Sequence, residues 1–261
     1  MQARKLPLLQ VLIVSQGLAL AVLLAVTAIA TLAGHRPPEL TRLLPAAAGG
    51  LAGVVGLAAF YRALAMGTMS IVAPIAATGV CIPVIVGIAD GEHPAPVQLI
   101  GILAAIAGVV LVSTEPDPHP ETRRTARVSI ALALVAAIGF GSLAVGLRSS
   151  ARADVLWALV AARSTGVIVI VAAFAITRPT IAGVRSSLIV LGSMGMLDLL
   201  ANALYALALT QGLLSVVAVG ASLYPVATVM LARALLGERV RRSQEIGIAA
   251  TVAGIAMIAA G

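Results

Sequence analysis

The chain has 261 residues, 61% of them apolar and 10% charged, with a formal net charge of +7 and a mean hydropathy of +1.10. Seventeen basic and ten acidic side chains cannot build the polar shell that a soluble fold of this length needs, so the composition excludes a water-soluble domain and places the chain in a lipid bilayer. The basic excess does not indicate nucleic acid, because the Arg residues stand singly or in small clusters between apolar runs, with three Phe, three Tyr and one Trp to stack on bases.

Apolar runs long enough to cross a hydrocarbon core of about 30 Å fall, in chain order, near 8–33, 43–66, 69–89, 95–113, 128–147, 155–177, 187–209, 213–235 and 244–260. The first follows Arg4 and Lys5 and contains Ala28-Ile29-Ala30, which mimics a signal-peptidase site. Its length far exceeds the roughly 7–15 residues of a signal h-region, and it reads as a transmembrane helix. Continuous runs rich in Ala, Leu and Gly predict helices, since barrel strands alternate over about ten residues. The fold class expected is an all-α membrane protein with nine transmembrane helices. The one long polar connection, Ser113 to Arg127, carries Pro116, Pro118 and Pro120 and reads as a linker between two halves.

Catalytic chemistry has no visible seat. Cys81 is the sole cysteine, which excludes an intrachain disulfide and a cysteine-based zinc site. Lys5, the sole lysine, follows Arg4 rather than Gly, so no Walker A loop exists and any energised role needs another source. His35, His93 and His119 lie far apart in polar connections, and no serine is flanked as G-x-S-x-G. No metal, cofactor or enzymatic activity is expected.

The two halves repeat. Ala63-Leu64-Ala65-Met66-Gly67-Thr68-Met69-Ser70 returns as Ala208-Leu209-Thr210-Gln211-Gly212-Leu213-Leu214-Ser215. Gly91-Glu92, Gln98, Gly101 and Gly108 return as Gly237-Glu238, Gln244, Gly247 and Gly254. Chance likeness of apolar stretches would keep Ala and Leu, but not this polar punctuation. The organisation expected is a first repeat over 1–114, a polar linker over 115–127 and a second repeat over 128–261.

This pattern resembles the EamA type of the drug/metabolite transporter superfamily, in which each half carries an Ala-Leu-x-x-Gly-x-x-Ser turn, a proline-bearing helix, a Gly-Glu turn and a Gln-x-x-Gly helix start. The resemblance implies a secondary transporter of small metabolites with ten helices in two inverted five-helix repeats. This sequence departs from it: the span at 8–33 aligns best with 155–177, so the first repeat supplies four helices and lacks the family's first. Corresponding spans still run in opposite senses. Charge favours a cytoplasmic N-terminus, with Arg4, Lys5, Arg123, Arg124, Arg127, Arg178, Arg185, Arg233, Arg239, Arg241 and Arg242 on one side against Arg36, Arg42, Arg148 and Arg152 on the other. The resemblance implies the opposite C-terminal orientation.

Within the spans, Asp198 is the strongest functional signal, because a carboxylate at a helix centre costs about 2.5–3.5 kcal/mol on insertion scales unless it faces a partner or water. Asn202 and Tyr205 follow it at i+4 and i+7 on one stripe, whereas the matching stripe of the first half, Gly53, Leu57 and Phe60, is apolar. Arg163 lies eight residues into its span, about 12 Å of rise. It either clamps a substrate carboxylate, pairs with Asp198, or ties backbone carbonyls as structural glue. Arg62 can snorkel from its helix end, and neighbouring Tyr61 is the better cavity candidate. Pro74, Pro83 and Pro225 free carbonyls beside Ser70, Thr78, Ser222 and Tyr224, as in the broken helices of transporter sites.

The candidate substrate-binding set is therefore Asp198, Arg163, Asn202, Tyr205, Tyr61, Ser70, Ser215, Ser222 and Tyr224. The partners expected are a small-molecule substrate and the lipid of the cytoplasmic membrane, with no nucleic acid. The glycine faces Gly101/Gly108 and Gly247/Gly254 indicate close helix packing, including that of a homodimer. Two other readings stay open: a non-transporting membrane subunit, and an intramembrane enzyme of lipid metabolism, for which clustered polar groups near a membrane face are lacking.

Overall fold

The computed structural model describes residues 8–66, 69–112, 123–177, 188–223 and 242–260. Among them the fold is all-α. In chain order the elements are α1 (Leu8–Leu32), α2 (Leu40–Met66), α3 (Met69–Ala77), a 3₁₀ turn (Thr78–Val80), α4 (Cys81–Ala89), α5 (Pro96–Val112), α6 (Arg123–Ala151), α7 (Val155–Thr177), α8 (Leu188–Gln211), α9 (Leu214–Ala221) and α10 (Arg242–Ala260). Among the described residues, six spans are long and apolar enough to cross a membrane.

The expected spans reappear with two kinds of difference. Helices outrun the apolar runs, α6 beginning at Arg123 and ending at Ala151, because hydrogen bonding continues after the side chains turn polar. The span at 69–89 is one rod in three pieces, tightened to 3₁₀ geometry over Thr78–Val80. This turn lies where Pro83 cannot donate to the carbonyl of Gly79. Of the span at 213–235, α9 covers the described part; the remainder, with Tyr224 and Pro225, lies outside the described residues, as do the side chain of Ser70 and the linker prolines.

Two compact units emerge, Met1–Val54 with Gly146–Thr210, and Val55–Val145 with Gln211–Gly261. Each therefore draws on both halves of the sequence. In the first unit α1 packs on α7, and its buried side chains mix small ones, among them Ala19, Ala46, Ala158 and Ala206, with Leu23, Leu43, Leu159 and Leu191. Other large ones face outward: Ile29, Ile168, Ile189 and Leu197 are each more than half exposed. Such exposure suits lipid, which is as apolar as leucine, and the small residues let helix backbones approach closely.

In the second unit Val80, Val84, Ile102, Ala105, Ala218 and Val219 form a core shared by the α3–α4 rod, α5 and α9. An extended seam runs between α5 and α10. A Cβ added at Gly101 would come within 2.6 Å of the carbonyl oxygen of Gly254, and one at Gly247 within 2.8 Å of that of Gly108. These glycine faces are consumed within the chain. The close packing that the sequence expected of these faces is thus met within the chain, between α5 and α10.

Tertiary contacts agree with alternate membrane crossings. His35, after the first span, meets Asp154, after the fifth, at 2.6 Å. Glu92, after the third, meets Leu214 and Ser215, after the seventh. Each pair is separated by an even number of crossings, which puts its members on one face.

Candidate functional site

Three helices of the first unit bring polar side chains together at mid-span. On α8 the buried positions Leu191, Gly195, Ala206 and Leu209 define an inward stripe, on which Asp198 and Asn202 lie half-buried. Leu197, Leu200 and Leu204 form the exposed face. Gly195, one turn before Asp198, permits the approach: a Cβ there would lie 3.0 Å from the carbonyl carbon of Ser15, with its oxygen closer still. The missing side chain lets α8 touch the backbone of α1 beside Gln16. Gly50 does the same for α2 and α7, since its added Cβ would lie 2.7 Å from the carbonyl carbon of Ala162, next to Arg163.

Arg163 donates from Nη2 to Oδ2 of Asp198 at 2.8 Å and from Nη1 to Oε1 of Gln16. Gln16 donates in turn from Nε2 to the same Oδ2 at 3.3 Å. Asn202 completes the cluster, its Nδ2 reaching Oδ1 of Asp198 at 3.2 Å and the backbone oxygen of Asp198 at 2.8 Å. The carboxylate thus receives three side-chain donors, one of them charged, which is how an ion pair survives among apolar helices. The two ends differ in access: the side chain of Arg163 is 8% exposed and that of Asp198 is 43% exposed.

Among the alternatives open for Arg163, the geometry selects pairing with Asp198. Tyr205 sits half-buried on α8 a further turn beyond Asn202. Gln16 escaped notice in the sequence because an amide carries no charge to single it out. Its mid-span position in α1 was the available signal.

The other candidates among the described residues, Tyr61, Ser215 and Ser222, lie in the second unit. Tyr61 is exposed and packs edge-on to Phe60, whose ring also meets Phe140 edge-on. Ser222 turns its hydroxyl back to the carbonyl of Val219 at 2.7 Å, closing the end of α9. Ser215 is fully buried and donates to Oε2 of Glu92, from its hydroxyl at 2.8 Å and from its backbone N–H at 3.0 Å, while the N–H of Leu214 donates to Oε1.

That arrangement explains the Gly-Glu turn. The N–H of Glu92 bonds the carbonyl of Gly87 at 2.9 Å, a helix stop that requires a left-handed residue at Gly91, where φ is +89°. The turn delivers a carboxylate to the positive end of α9, whose first N–H groups have no partner within the helix. Ser215 and Glu92 are thereby committed to each other. Arg148, counted among the loop charges in the sequence, is buried near the end of α6 and donates to the carbonyl of Leu209 at 3.2 Å. No group of His, Cys, Asp and Glu suited to a metal ion occurs among the described residues.

The profile of the EamA-like transporter family matches residues 1–114 and 127–260. Among solved structures, one crystal structure of a protein superposes with a TM-score of 0.80 over 98% of this chain and 89% of that chain, at 18% sequence identity, a likeness of fold alone. No curated protein matches the sequence.

Proposed function

Starting from a chain that belongs to the EamA-like transporter family of the drug/metabolite transporter superfamily, a multi-pass membrane protein, we propose that it is a secondary transporter moving small amino-acid-like or drug-like solutes across the cytoplasmic membrane by alternating access. The observation that carries this reading is the Arg163–Asp198 ion pair, supported by Gln16 and Asn202 at mid-span of α1, α7 and α8. Charges at that depth are expensive, and ionisable groups inside membrane spans mark solute or proton pathways. Two repeats of opposite sense supply the rocking element that alternating access needs. In this reading the cluster, with Tyr205 one turn on, is the polar centre of the path. Gradient energy drives the cycle.

Reconstitution of the purified chain in liposomes tests it. Counterflow of radiolabelled amino acids and amines, driven by a preloaded solute or by a pH gradient, is expected in wild type and lost in the variant carrying both Asp198→Asn and Arg163→Gln. Folded protein without flux of any member of such a panel would favour a non-transporting subunit.

A further inference from the structure

The two charges of the site are unequally available, and that inequality specifies the charge of what binds. Arg163 is enclosed, with one Nη engaged by Gln16 and the other by Asp198, while the carboxylate of Asp198 remains open over 43% of its side-chain surface. A carboxylate has about four acceptor sites. Arg163 and Gln16 both use Oδ2, and Asn202 takes Oδ1, which leaves acceptor capacity on Oδ1. An arriving group therefore meets a negative acceptor first.

Net charge does not decide between ligands, because the pair is neutral and a monovalent cation or anion would each leave one unit of charge. Access decides. An anion would have to reach a guanidinium whose side chain is 8% exposed and would then lie beside the Asp198 carboxylate, from which Arg163 stands only 2.8 Å. A protonated amine needs no rearrangement of Arg163 and adds a charge-assisted hydrogen bond to the exposed end of the pair.

We infer that this site selects solutes carrying a cationic ammonium group, which donates to Oδ1 of Asp198, while Arg163 serves as the ion-pair partner of that carboxylate through Oδ2 rather than as a clamp for substrate carboxylates. The inference rests on the reading of this cluster as the solute site. It narrows the solute to amines and to zwitterions bound through their ammonium end.

Three probes with one phenyl ring in common separate the possibilities: phenethylamine as cation, phenylacetate as anion and phenylethanol as neutral control. Binding of each to the full chain in detergent is measured by titration calorimetry. Phenethylamine should bind about tenfold or more tightly than the other two, the value of one charge-assisted hydrogen bond. The preference should persist in Arg163→Gln and vanish in Asp198→Asn. If Asp198→Asn does not fold, the double variant Asp198→Asn/Arg163→Gln, which leaves neither charge unpaired, should show the same loss.

Preference for phenylacetate, abolished by Arg163→Gln, would keep the cluster as the solute site and overturn the cation assignment. Probe binding that is identical in wild type and the double variant, or no measurable phenethylamine binding by folded wild type, would overturn the assignment too. In the identical-binding case the siting of the solute falls with it.

Discussion

Neutralising Asp198 should unseat Arg163 before it affects any other part of the fold. Asp198→Asn keeps the shape of the side chain and an oxygen able to accept a hydrogen bond, so the loss is chiefly the charge that Arg163 meets at 2.8 Å. Removing one member of a buried pair costs about 3–5 kcal/mol, whereas exposed pairs contribute about 0–1 kcal/mol. Here one partner is 8% exposed and the other 43% exposed, so the cost should lie between those limits, at about 2 kcal/mol. Arg163→Gln alone should cost a similar amount, because it leaves the Asp198 carboxylate among apolar helices. Removing both charges leaves no orphan, and the double variant should recover at least half of either single loss. The assay is a double-mutant cycle by equilibrium unfolding in mixed detergent micelles, with a coupling of about 3 kcal/mol expected. Additivity within about 0.5 kcal/mol would refute the reasoning, since it would mean that each charge is solvated independently of the other.

Gln16→Leu should cost less than either charge removal, about 0.6 kcal/mol per lost bond, measured in the same unfolding assay; a loss as large as that of Asp198→Asn would make Gln16 the keystone instead. Glu92→Ala, which strips three hydrogen bonds from the start of α9, should destabilise by about 1–2 kcal/mol, with Glu92→Gln intermediate; a neutral Glu92→Ala would show that the turn does not hold α9. Gly195→Leu should abolish folded protein on size exclusion, because the side chain would have to occupy the backbone of α1 at Ser15, whereas Gly17→Leu, with nothing within 4 Å of its added Cβ, should be tolerated. With Cys81 replaced, a cysteine at Asn202 should react with a membrane-impermeant maleimide faster than one at Leu200 or Leu207, which lie on the exposed face of α8; equal and negligible labelling would argue for a dry bundle.

The sequence alone determined the solvent, the secondary structure and the family. Sixty-one per cent apolar residues in runs of membrane length leave helices as the only way to satisfy every backbone group in lipid, and the repeated Ala-Leu-x-x-Gly-x-x-Ser and Gly-Glu signals identify the architecture without coordinates. It also singled out Asp198, Arg163 and Asn202, because the cost of placing a charge at a helix centre is a local property, readable from the residue and its depth.

Tertiary structure decided how those residues pair. Gln16 lies 147 residues from Arg163 and 182 from Asp198, and no periodicity within α1 announces partners on α7 and α8. The same holds for Glu92 and Ser215, which the repeat marked as punctuation and the fold joined across 123 residues. The glycine faces of α5 and α10 were legible as close-packing surfaces; that they close on each other followed from the fold alone. The unequal exposure of Arg163 and Asp198 likewise depends on how near α1, α7 and α8 approach one another. Depth and charge are written residue by residue, whereas access and pairing exist only once Gly195 and Gly50 have let separate helices come into backbone contact.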